Sequence, residues 1–376
     1  MKLTRRAVIL AKLEGAYGVD AAPTGADAIL CNSGVDVKPQ GEVIERDVLR
    51  DTLSPSGHVI GAKTLDFDFS VELKGGGLVA TAVQAPEYDA LLQSCGMAQQ
   101  EVTELTLSEI PTGLATGDTI TDDTSGAHGT VAYIRGLVVG LTGVSGGEFA
   151  INDEVNTNAA TIAANPAEVL CYAPISDPEL VKSCTVLFYK DGILHKSLGV
   201  RGSFDLNAPS GKYGTLKFTM HGLWTDPVDQ AAPAPQILDL FPPVCVGAGL
   251  KIGIYSPVGI SALSLNLAAD VVKRPDLNAA EGVNGLVIKG RKPTGSLDPE
   301  VQTLAAFNPW TAWKNASTAA IHARFGQTSG NSVEVHVPKA QYSEVKYADR
   351  DNVAIYNLAF TCTVDHGDDE FRLIYK

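Results

Sequence analysis

Apolar and polar residues alternate over ten positions between Thr64 and Leu73, in the most regular run of the chain. The apolar members are Leu65, Phe67, Phe69, Val71 and Leu73, and the polar members are Thr64, Asp66, Asp68, Ser70 and Glu72. Because successive side chains of a strand point to opposite faces of its sheet, this run predicts a long strand with one apolar and one polar face.

The same period of two recurs, less regularly, further along the chain. Strands are predicted at Cys184–Tyr189, Leu198–Leu206, Thr215–Trp224, Ala262–Val272, Gly285–Lys289, Ala320–Phe325, Val333–Val337, Val353–Val364 and Phe371–Tyr375. The 37 glycines and 20 prolines of the chain punctuate these runs. We therefore expect a mainly β protein with antiparallel sheets.

Two short helices are predicted. The first begins near Pro86, places Leu91, Leu92 and Cys95 on one face, and ends at Gly96. The second is predicted over Glu300–Phe307, with Asp298-Pro299 as its cap and first turn and Pro309 expected to break or bend it.

Residues 101–171 differ in composition from their surroundings, being rich in Gly, Thr, Ala and Val with turn signals such as Ser145-Gly146-Gly147. They contain ten acidic residues and a single basic one, Arg135, and so carry nine of the fourteen net negative charges. We expect a small inserted β domain on the surface, and its charge favours a solvated projection over a packed interface.

The remaining residues divide at the Pro-rich stretch Gln230–Pro243. Strands, a short helix and further strands follow one another in a similar order on both sides of it. The predicted domains are a first one from residues 1–100 and 172–235, the inserted acidic domain at 101–171, and a second one at 236–376. Duplication is inferred from the order of elements alone, since no residue-by-residue repeat is visible. A chain without duplicated domains remains the alternative.

Composition narrows the functional classes. No stretch approaches the roughly 18 consecutive apolar residues of a membrane span, and the opening residues do not predict a signal peptide, so we expect a product that stays in the cytoplasm that makes it. The net charge of −14 disfavours a nucleic-acid clamp, which neutralises phosphates with basic residues. The six cysteines show no C-x-x-C pair and are expected to be buried free thiols.

No catalytic, cofactor or metal site is predicted. The cluster His366, Asp368, Asp369 and Glu370 has metal-ligand residue types, but it falls where a hairpin turn is expected. Gly75-Gly76-Gly77 lacks the Lys and Ser/Thr of a phosphate-binding loop, and the seven histidines show no H-E-x-x-H spacing. A hydrolase that acts on peptidoglycan would need a carboxylate pair, which the sequence alone does not exclude.

Several passages resemble landmarks of the major tail tube proteins of siphophages, the long-tailed, non-contractile bacteriophages. At the start they are Glu14–Thr24 and Asp27–Leu30, and further along they are Lys273–Asp276, Pro293–Gly295, Gln341-Tyr342 and Tyr347–Asp351. These are turn and strand-edge patterns that cover most of the chain outside residues 101–171.

The resemblance implies a structural virion protein with no enzyme activity. It implies two tandem β-sandwich or barrel-forming tube domains with short helices, and an extra surface β domain that residues 101–171 would match. A duplicated member implies trimeric pseudo-sixfold rings, with hexameric rings as the alternative for a single-domain member. The resemblance further implies that the protein is located in the virion tail and is assembled in the host cytoplasm. Its partners would be the tape measure protein and the tail completion proteins.

The same resemblance gives the polar strand face a role. Asp66, Asp68, Ser70 and Glu72 are candidate lumen-lining residues, because an acidic surface repels phosphates and lets double-stranded DNA pass without specific binding. Asp349, Arg350 and Asp351 are candidates for intersubunit ion pairs. The alternative for the polar face is a solvated side of an ordinary sandwich.

The alternative function is a carbohydrate-binding or adhesive β-sandwich protein of a virion or cell surface. Such a protein is expected to expose aromatic clusters, and of Trp224, Trp310 and Trp313 only the last two are close in sequence.

Overall fold

The computed structural model describes residues 6–32, 34–156 and 159–376. The described part is mainly β, as the alternating pattern predicts. Up to the first helix its elements are β1 (Ala7–Leu13), a 3₁₀ turn (Gly25–Asp27), β2 (Ala28–Ile29), β3 (Asp36–Glu45), β4 (His58–Glu72), β5 (Leu78–Val79), β6 (Ala82–Val83) and α1 (Asp89–Ser94).

The strands that follow α1 fall into two sets. The first set is β7 (Met97–Thr106), β8 (Thr119–Thr121), β9 (His128–Arg135), β10 (Val138–Ser145), β11 (Glu154–Val155), β12 (Ala160–Thr161) and β13 (Ala167–Pro174). The second set is β14 (Cys184–Lys190), β15 (Ile193–Pro209), β16 (Thr215–Leu223) and β17 (Val228–Asp229).

Beyond residue 243 the elements are β18 (Lys251–Ile252), β19 (Ala262–Asn266), β20 (Ala269–Pro275), β21 (Val283–Arg291), β22 (Thr294–Leu297), α2 (Pro309–Lys314), β23 (Thr318–Phe325), β24 (Val333–Arg350), β25 (Val353–Cys362) and β26 (Arg372–Tyr375). The strands predicted from the sequence are present, and several run longer than their alternating cores. The exception is Ala262–Val272, predicted as one strand, which is divided between β19 and β20 in two different sheets.

Strand β4 has the two faces that its alternation predicts. Leu65, Phe67, Phe69 and Val71 are 3% exposed or less and form part of the main hydrophobic core. The polar residues between them are half-buried on the opposite face. Burial of one face therefore sets the register of β4 against its neighbours, since a shift by one residue would turn the apolar side chains outward.

Eight strands form one continuous antiparallel sheet. Their spatial order is β3, β4, β16, β15, β19, β22, β25 and β24. The middle pair joins residues from before and after the Pro-rich stretch, with Leu206 of β15 opposite Leu265 of β19. One sheet thus spans both parts of the chain.

The same order of pairings occurs twice in this arrangement. We call β1, β3, β4, α1 and β14–β17 the first strand group, and β18–β26 with α2 the second strand group. In the first group β1 pairs β14, then β15, β16, β4 and β3 follow, and β17 pairs the start of β15. In the second group β18 pairs β23, then β24, β25, β22 and β19 follow, and β26 pairs the start of β24.

Local irregularities recur at matching places in the two groups. The register of β14 on β15 shifts between Cys184 and Val186, and that of β23 on β24 shifts between Ala319 and Ile321. Directly after β4, Leu73 donates its N–H to the carbonyl of Gly214 at 2.9 Å. Val301 donates likewise to Ala354 at 3.0 Å. Such β-bulges are specific features, so their recurrence strengthens the correspondence of the groups.

The first predicted helix is present as α1, and Gly96 follows it with a φ of 81° that favours glycine. The second prediction is wrong, because Glu300–Phe307 is not helical and the helix is α2, after it. Asn308 caps α2 by accepting the N–H of Thr311 at 2.9 Å. Pro309, expected to break a helix, is instead its first residue, where a missing N–H costs nothing.

The strands β7–β13 form the insert, which we define as residues 97–174. It has a hydrophobic core of its own that includes Leu105, Val131, Val139 and Ile162. The strands β7 and β13 pair with each other, and β13 also pairs with β26 of the second strand group. The expectation of a solvated projection is therefore wrong at this end, where the insert is packed against the body of the protein.

Within the described residues, no helix is long and apolar enough to cross a membrane. All six cysteines are free thiols, five of them buried and Cys31 half-buried.

Candidate assembly surfaces

The polar face of β4 is a row of half-buried side chains with partners in the same sheet. Asp66 Oδ1 lies 2.8 Å from Nδ1 of His221 on β16. Asp68 accepts a hydrogen bond from the hydroxyl of Thr219 at 2.9 Å and lies 3.4 Å from the ammonium of Lys38. The structure thus places the first two candidate lumen residues together on one surface.

Ser70 and Glu72 continue this row toward the end of β4. The hydroxyl of Ser70 accepts from the side-chain amide of Asn32 at 3.3 Å. Glu72 lies opposite Thr215 and is half-buried. All four candidate residues therefore share one face, as the alternation predicts.

Basic residues also lie on this face, which the sequence pattern of β4 alone did not indicate. Hydrogen bonds to Asp36 and Asp68 raise the pKa of Lys38. Lys217 is opposite Ser70 on the neighbouring strand. The face is acidic with interspersed bases, rather than uniformly negative.

The second strand group has a polar row at the corresponding positions. Glu72 lies opposite Thr215, and Glu300 lies opposite Ile355 in the matching pair of strands. The residues that correspond to Asp66, Asp68, Ser70 and Glu72 are then Thr294, Ser296, Asp298 and Glu300. The lumen candidates thus have polar counterparts in the second strand group.

Asp349, Arg350 and Asp351 lie at the tip of the β24–β25 hairpin. Arg350 folds back on its own chain, with its guanidinium 3.1 Å from Asp298 and 3.5 Å from Glu300, and it also donates to the carbonyl of Gly259. Asp349 and Asp351 are exposed. The tip is therefore partly anchored by Arg350, and its two exposed carboxylates are those of Asp351 and of Asp349, which also accepts the N–H of Asn352 at 3.2 Å.

A tight turn produces this tip. Arg350 and Val353 are opposite each other, so the turn contains only Asp351 and Asn352. Their φ angles are 54° and 65°. This left-handed pair is the geometry of a two-residue hairpin turn, in which Asp and Asn are favoured.

Two strand edges at the ends of the eight-stranded sheet have no partner among the described residues. Strand β3 pairs only with β4. The part of β24 from Tyr342 to Arg350 pairs only with β25. Unpaired backbone N–H and C=O groups of this length are a template for another strand.

The far end of the β3–β4 hairpin carries apolar side chains in water, which the sequence analysis did not single out. Val43, Ile44, Val59 and Ile60 are between 43% and 55% exposed, and Leu49 and Leu53 in the connecting loop are fully exposed. Pairs of β-branched residues on both sides of a polar loop are the sequence signal that could have identified it. An apolar surface of this kind is typical of a protein-protein contact.

A buried charge cluster joins the insert to the body. Glu104 and Arg135 of the insert meet Glu334 and Lys376, with the guanidinium 3.0 Å from each carboxylate and the ammonium 2.6 and 2.9 Å from them. Burial alone would raise the pKa of Glu334, but a hydrogen bond from His322 and the charges of Arg135 and Lys376 lower it to about 2. The single base of the insert is thus used at its attachment point.

The N-terminal landmark passage also has a structural role. Glu14 is buried and accepts hydrogen bonds from the hydroxyls of Ser183 and Thr185 at 2.6 and 3.0 Å. Tyr17 accepts the N–H of Leu286 at 2.6 Å and donates to the carbonyl of Gly199 at 3.1 Å. Because Leu286 belongs to the second strand group, this passage fastens the two groups together.

Two further sets of side chains have residue types that suit metal binding or carbohydrate binding. Asp365, His366 and Asp369 come within metal-binding distance of one another, but both carboxylate oxygens of Asp369 accept backbone N–H groups of residues 365–367. This favours the predicted turn. Trp310 packs on Tyr347 with ring centroids 5.3 Å apart, while Trp313 is 51% exposed.

A family model described as phage tail tube protein matches residues 4–362, which is nearly the whole chain. The matched range contains every landmark passage from Glu14 to Asp351 and the entire insert. No curated protein matches the sequence.

Proposed function

Because the chain belongs to the phage tail tube protein family, whose members self-assemble into the tube of the virion tail and are generally non-enzymatic, we propose that three copies close into a pseudo-sixfold ring. In this proposal the first and second strand groups are two tube domains, formed by residues 1–100 with 172–235 and by residues 236–376. Residues 101–171, which lie within the insert, form a third, outer domain. Rings then stack into the tube of a long-tailed, non-contractile phage.

One observation carries the ring proposal: the two strand groups are already joined edge to edge within the chain. Strand β15 of the first group pairs with β19 of the second, from Asp205 opposite Asn266 to Pro209 opposite Ala262. By the matching of the groups, the counterpart of β15 is β24 and the counterpart of β19 is β3. These two strands have the unpaired edges described above.

The internal junction also predicts the register between two chains. Thr215 is opposite both Glu72 and Asn207, and Ile355 is opposite both Glu300 and Ala348, so Asn207 corresponds to Ala348. Ser264 corresponds to Asp36, because they lie opposite the matching residues Ser296 and Asp68. Since Asn207 is opposite Ser264, Ala348 should lie opposite Asp36 of the next chain.

Repetition of one head-to-tail contact gives either a closed ring or an open filament. Closure with three chains would unite eight strands from each into a barrel of twenty-four, and would remove every long unpaired edge of the sheet. Six chains with one domain each are the alternative, which the paired groups within one chain disfavour.

The polar faces of β4 and its neighbours would then surround the channel, with Asp66, Asp68, Ser70 and Glu72 repeated around it. Their charge would keep double-stranded DNA from adhering. Tape measure and tail completion proteins are the partners that the resemblance implies, and assembly would take place in the host cytoplasm.

Cysteine cross-linking tests the ring contact. The double variant Asp36→Cys with Ala348→Cys should form disulfides between chains under mild oxidation and give covalently closed trimers, because opposite residues in antiparallel strands have suitable Cα separations. The matched control is Asp36→Cys with Tyr347→Cys, whose side chains point to opposite faces of the sheet. Equal cross-linking in both variants would refute the register.

Electron microscopy of the purified protein tests the ring symmetry. We expect rings or striated tubes with a central hole and three inserts around each ring. Six inserts per ring would refute the trimer, and particles that stay monomeric at high concentration in every salt condition would refute tube assembly.

The lumen assignment predicts an effect of charge reversal on DNA binding. Tubes of the variant Glu72→Lys should retain short double-stranded DNA at low salt and release it as salt is raised, since phosphate contacts are screened. The variant Glu109→Lys makes the same charge change on the insert and should retain none, as measured by co-sedimentation of labelled DNA. Retention by neither variant, or equally by both, would contradict a lumenal Glu72.

A further inference from the structure

A groove of about 550 Å³ lies at the start of β3, where Gly34 and Val35 line it. Its walls come from the start of β1, from the segment between β2 and β3, and from the end of β14, with Val8, Ile9, Leu30, Val35 and Phe188 as apolar members. Lys190 stands at one side of it. The groove is therefore formed by β1 and β14 of the first strand group, by β2 with the segment that follows it, and by the Pro-rich stretch at its rim.

The second strand group has a groove at the corresponding place. The pairing of β18 with β23 matches that of β1 with β14, so Leu250 corresponds to Ile9 and Phe325 to Lys190. Leu250 and Phe325 both line this second groove. Leu263, the counterpart of Val35, lines it as well.

The second groove contains residues of a hairpin tip from the first strand group. The second groove is also lined by Ala208 and Ser210, which belong to the tip of the β15–β16 hairpin of the first group. This tip is held by backbone hydrogen bonds, from Ser210 to the carbonyl of Ser261 at 2.7 Å and from Gly211 to that of Cys245 at 3.1 Å. The internal junction thus consists of paired edges and, beside them, a hairpin tip seated in a groove.

We propose that the first groove is the docking site for the tip of the β24–β25 hairpin, Asp349–Ala354, of a second copy of this chain. This inference rests on the proposed ring and specifies its contact beyond the paired strands. The two tips are of similar size, with five residues between Ala208 and Gly214 and four between their counterparts Asp349 and Ala354.

Charge supports this occupant. At the internal junction Ala208 and Phe325 line the same groove, and their counterparts are Asp349 on the tip and Lys190 on the first groove. A pair of apolar residues is thus replaced at both corresponding positions by residues of opposite charge. The carboxylate of the incoming Asp349 would lie on the same side of the sheet as Lys190, since Ala208 and Phe325 both belong to the main core.

Charge exchange tests the contact. Lys190→Glu and Asp349→Lys should each raise the protein concentration at half-assembly by roughly 10-fold, because each puts like charges together. The double variant should return it to within about 3-fold of the wild type. A double variant as weak as the sum of the single ones would overturn the proposal, since a purely structural role of either residue would not be rescued.

Thiol labelling separates this proposal from the ring itself. Ala7 is exposed, lines the groove and lies opposite Lys190. In the variant Ala7→Cys, a maleimide should react with dispersed subunits and be excluded after assembly, while Ala164→Cys on the insert stays reactive in both states. Rings seen by microscopy with position 7 still reactive would refute the docked tip and leave the ring standing, whereas a failure to form rings would refute the proposed function.

Discussion

Buried charged side chains hold the insert to the body of the protein. Glu334 is 1% exposed and lies among Arg135, His322 and Lys376. A buried carboxylate of this kind stabilises the folded state only while its partners are present, since an unpaired buried charge is costly. The contact is thus specific to this pairing of insert and body.

The lowered pKa of Glu334 predicts a pH dependence of stability. Its folded-state pKa of about 2 lies below the ordinary value of 4.5, so its contribution, roughly 3 kcal/mol, is complete above pH 4.5 and is lost as the pH falls toward 2. The variant Glu334→Gln should therefore unfold more easily than the wild type at pH 7, with a difference that shrinks in acid.

Denaturant unfolding of dispersed subunits between pH 7 and pH 2.5 measures this difference. The exposed residue Glu45 provides the control, because Glu45→Gln should leave the free energy of unfolding within about 0.5 kcal/mol at every pH. A difference between wild type and Glu334→Gln that does not change with pH would contradict the prediction.

The insert is the element whose removal best separates folding from assembly. It has its own core, and it is connected with the body by β7, β13, the charged cluster and contacts of β9, which include a hydrogen bond from Arg372 to the carbonyl of Ala132 at 2.9 Å. Glu104 is opposite Ala167. Replacing residues 105–166 by Asn-Gly would therefore close β7 and β13 with a two-residue hairpin turn and keep Glu104 beside Lys376.

This shortened protein should still form rings and tubes, with a smaller outer diameter and an unchanged channel in electron micrographs. The prediction follows from the proposed position of the insert outside the tube wall. A variant that retains its β-sheet circular dichroism but does not assemble would show that the insert contributes to the wall.

The proposed ring depends on one type of contact, which occurs once within the chain and once between neighbouring chains. Within the chain it joins β15 to β19, and between chains it would join β24 to β3. Each repeated contact would bury both a strand edge and an apolar groove, as expected of a large obligate interface. Cross-linking tests the strand register of this contact, and electron microscopy tests the number of chains in a ring. Thiol labelling tests whether the hairpin tip enters the groove.

Local patterns in the sequence determined much of this protein. Alternation predicted β4 and its two faces, because side-chain orientation in a strand follows residue parity alone. Composition indicated the insert, and the landmark passages indicated a phage tail tube protein, which the family match over residues 4–362 confirms at that level. The signal for α2 is also local, since Asn308-Pro309 is a typical cap and first residue, but Asp298-Pro299 carries the same signal and no helix follows it.

Only the tertiary structure decided which strands meet. The joining of β15 to β19, the unpaired edges of β3 and β24, and the groove beside β3 depend on contacts between residues far apart in the chain. The packing of Glu104 and Arg135 against Glu334 at the attachment end of the insert is likewise a contact that the net charge of the insert does not predict. Backbone pairing is nearly independent of side-chain type, so a strand's sequence shows which face is buried but not which neighbour it has.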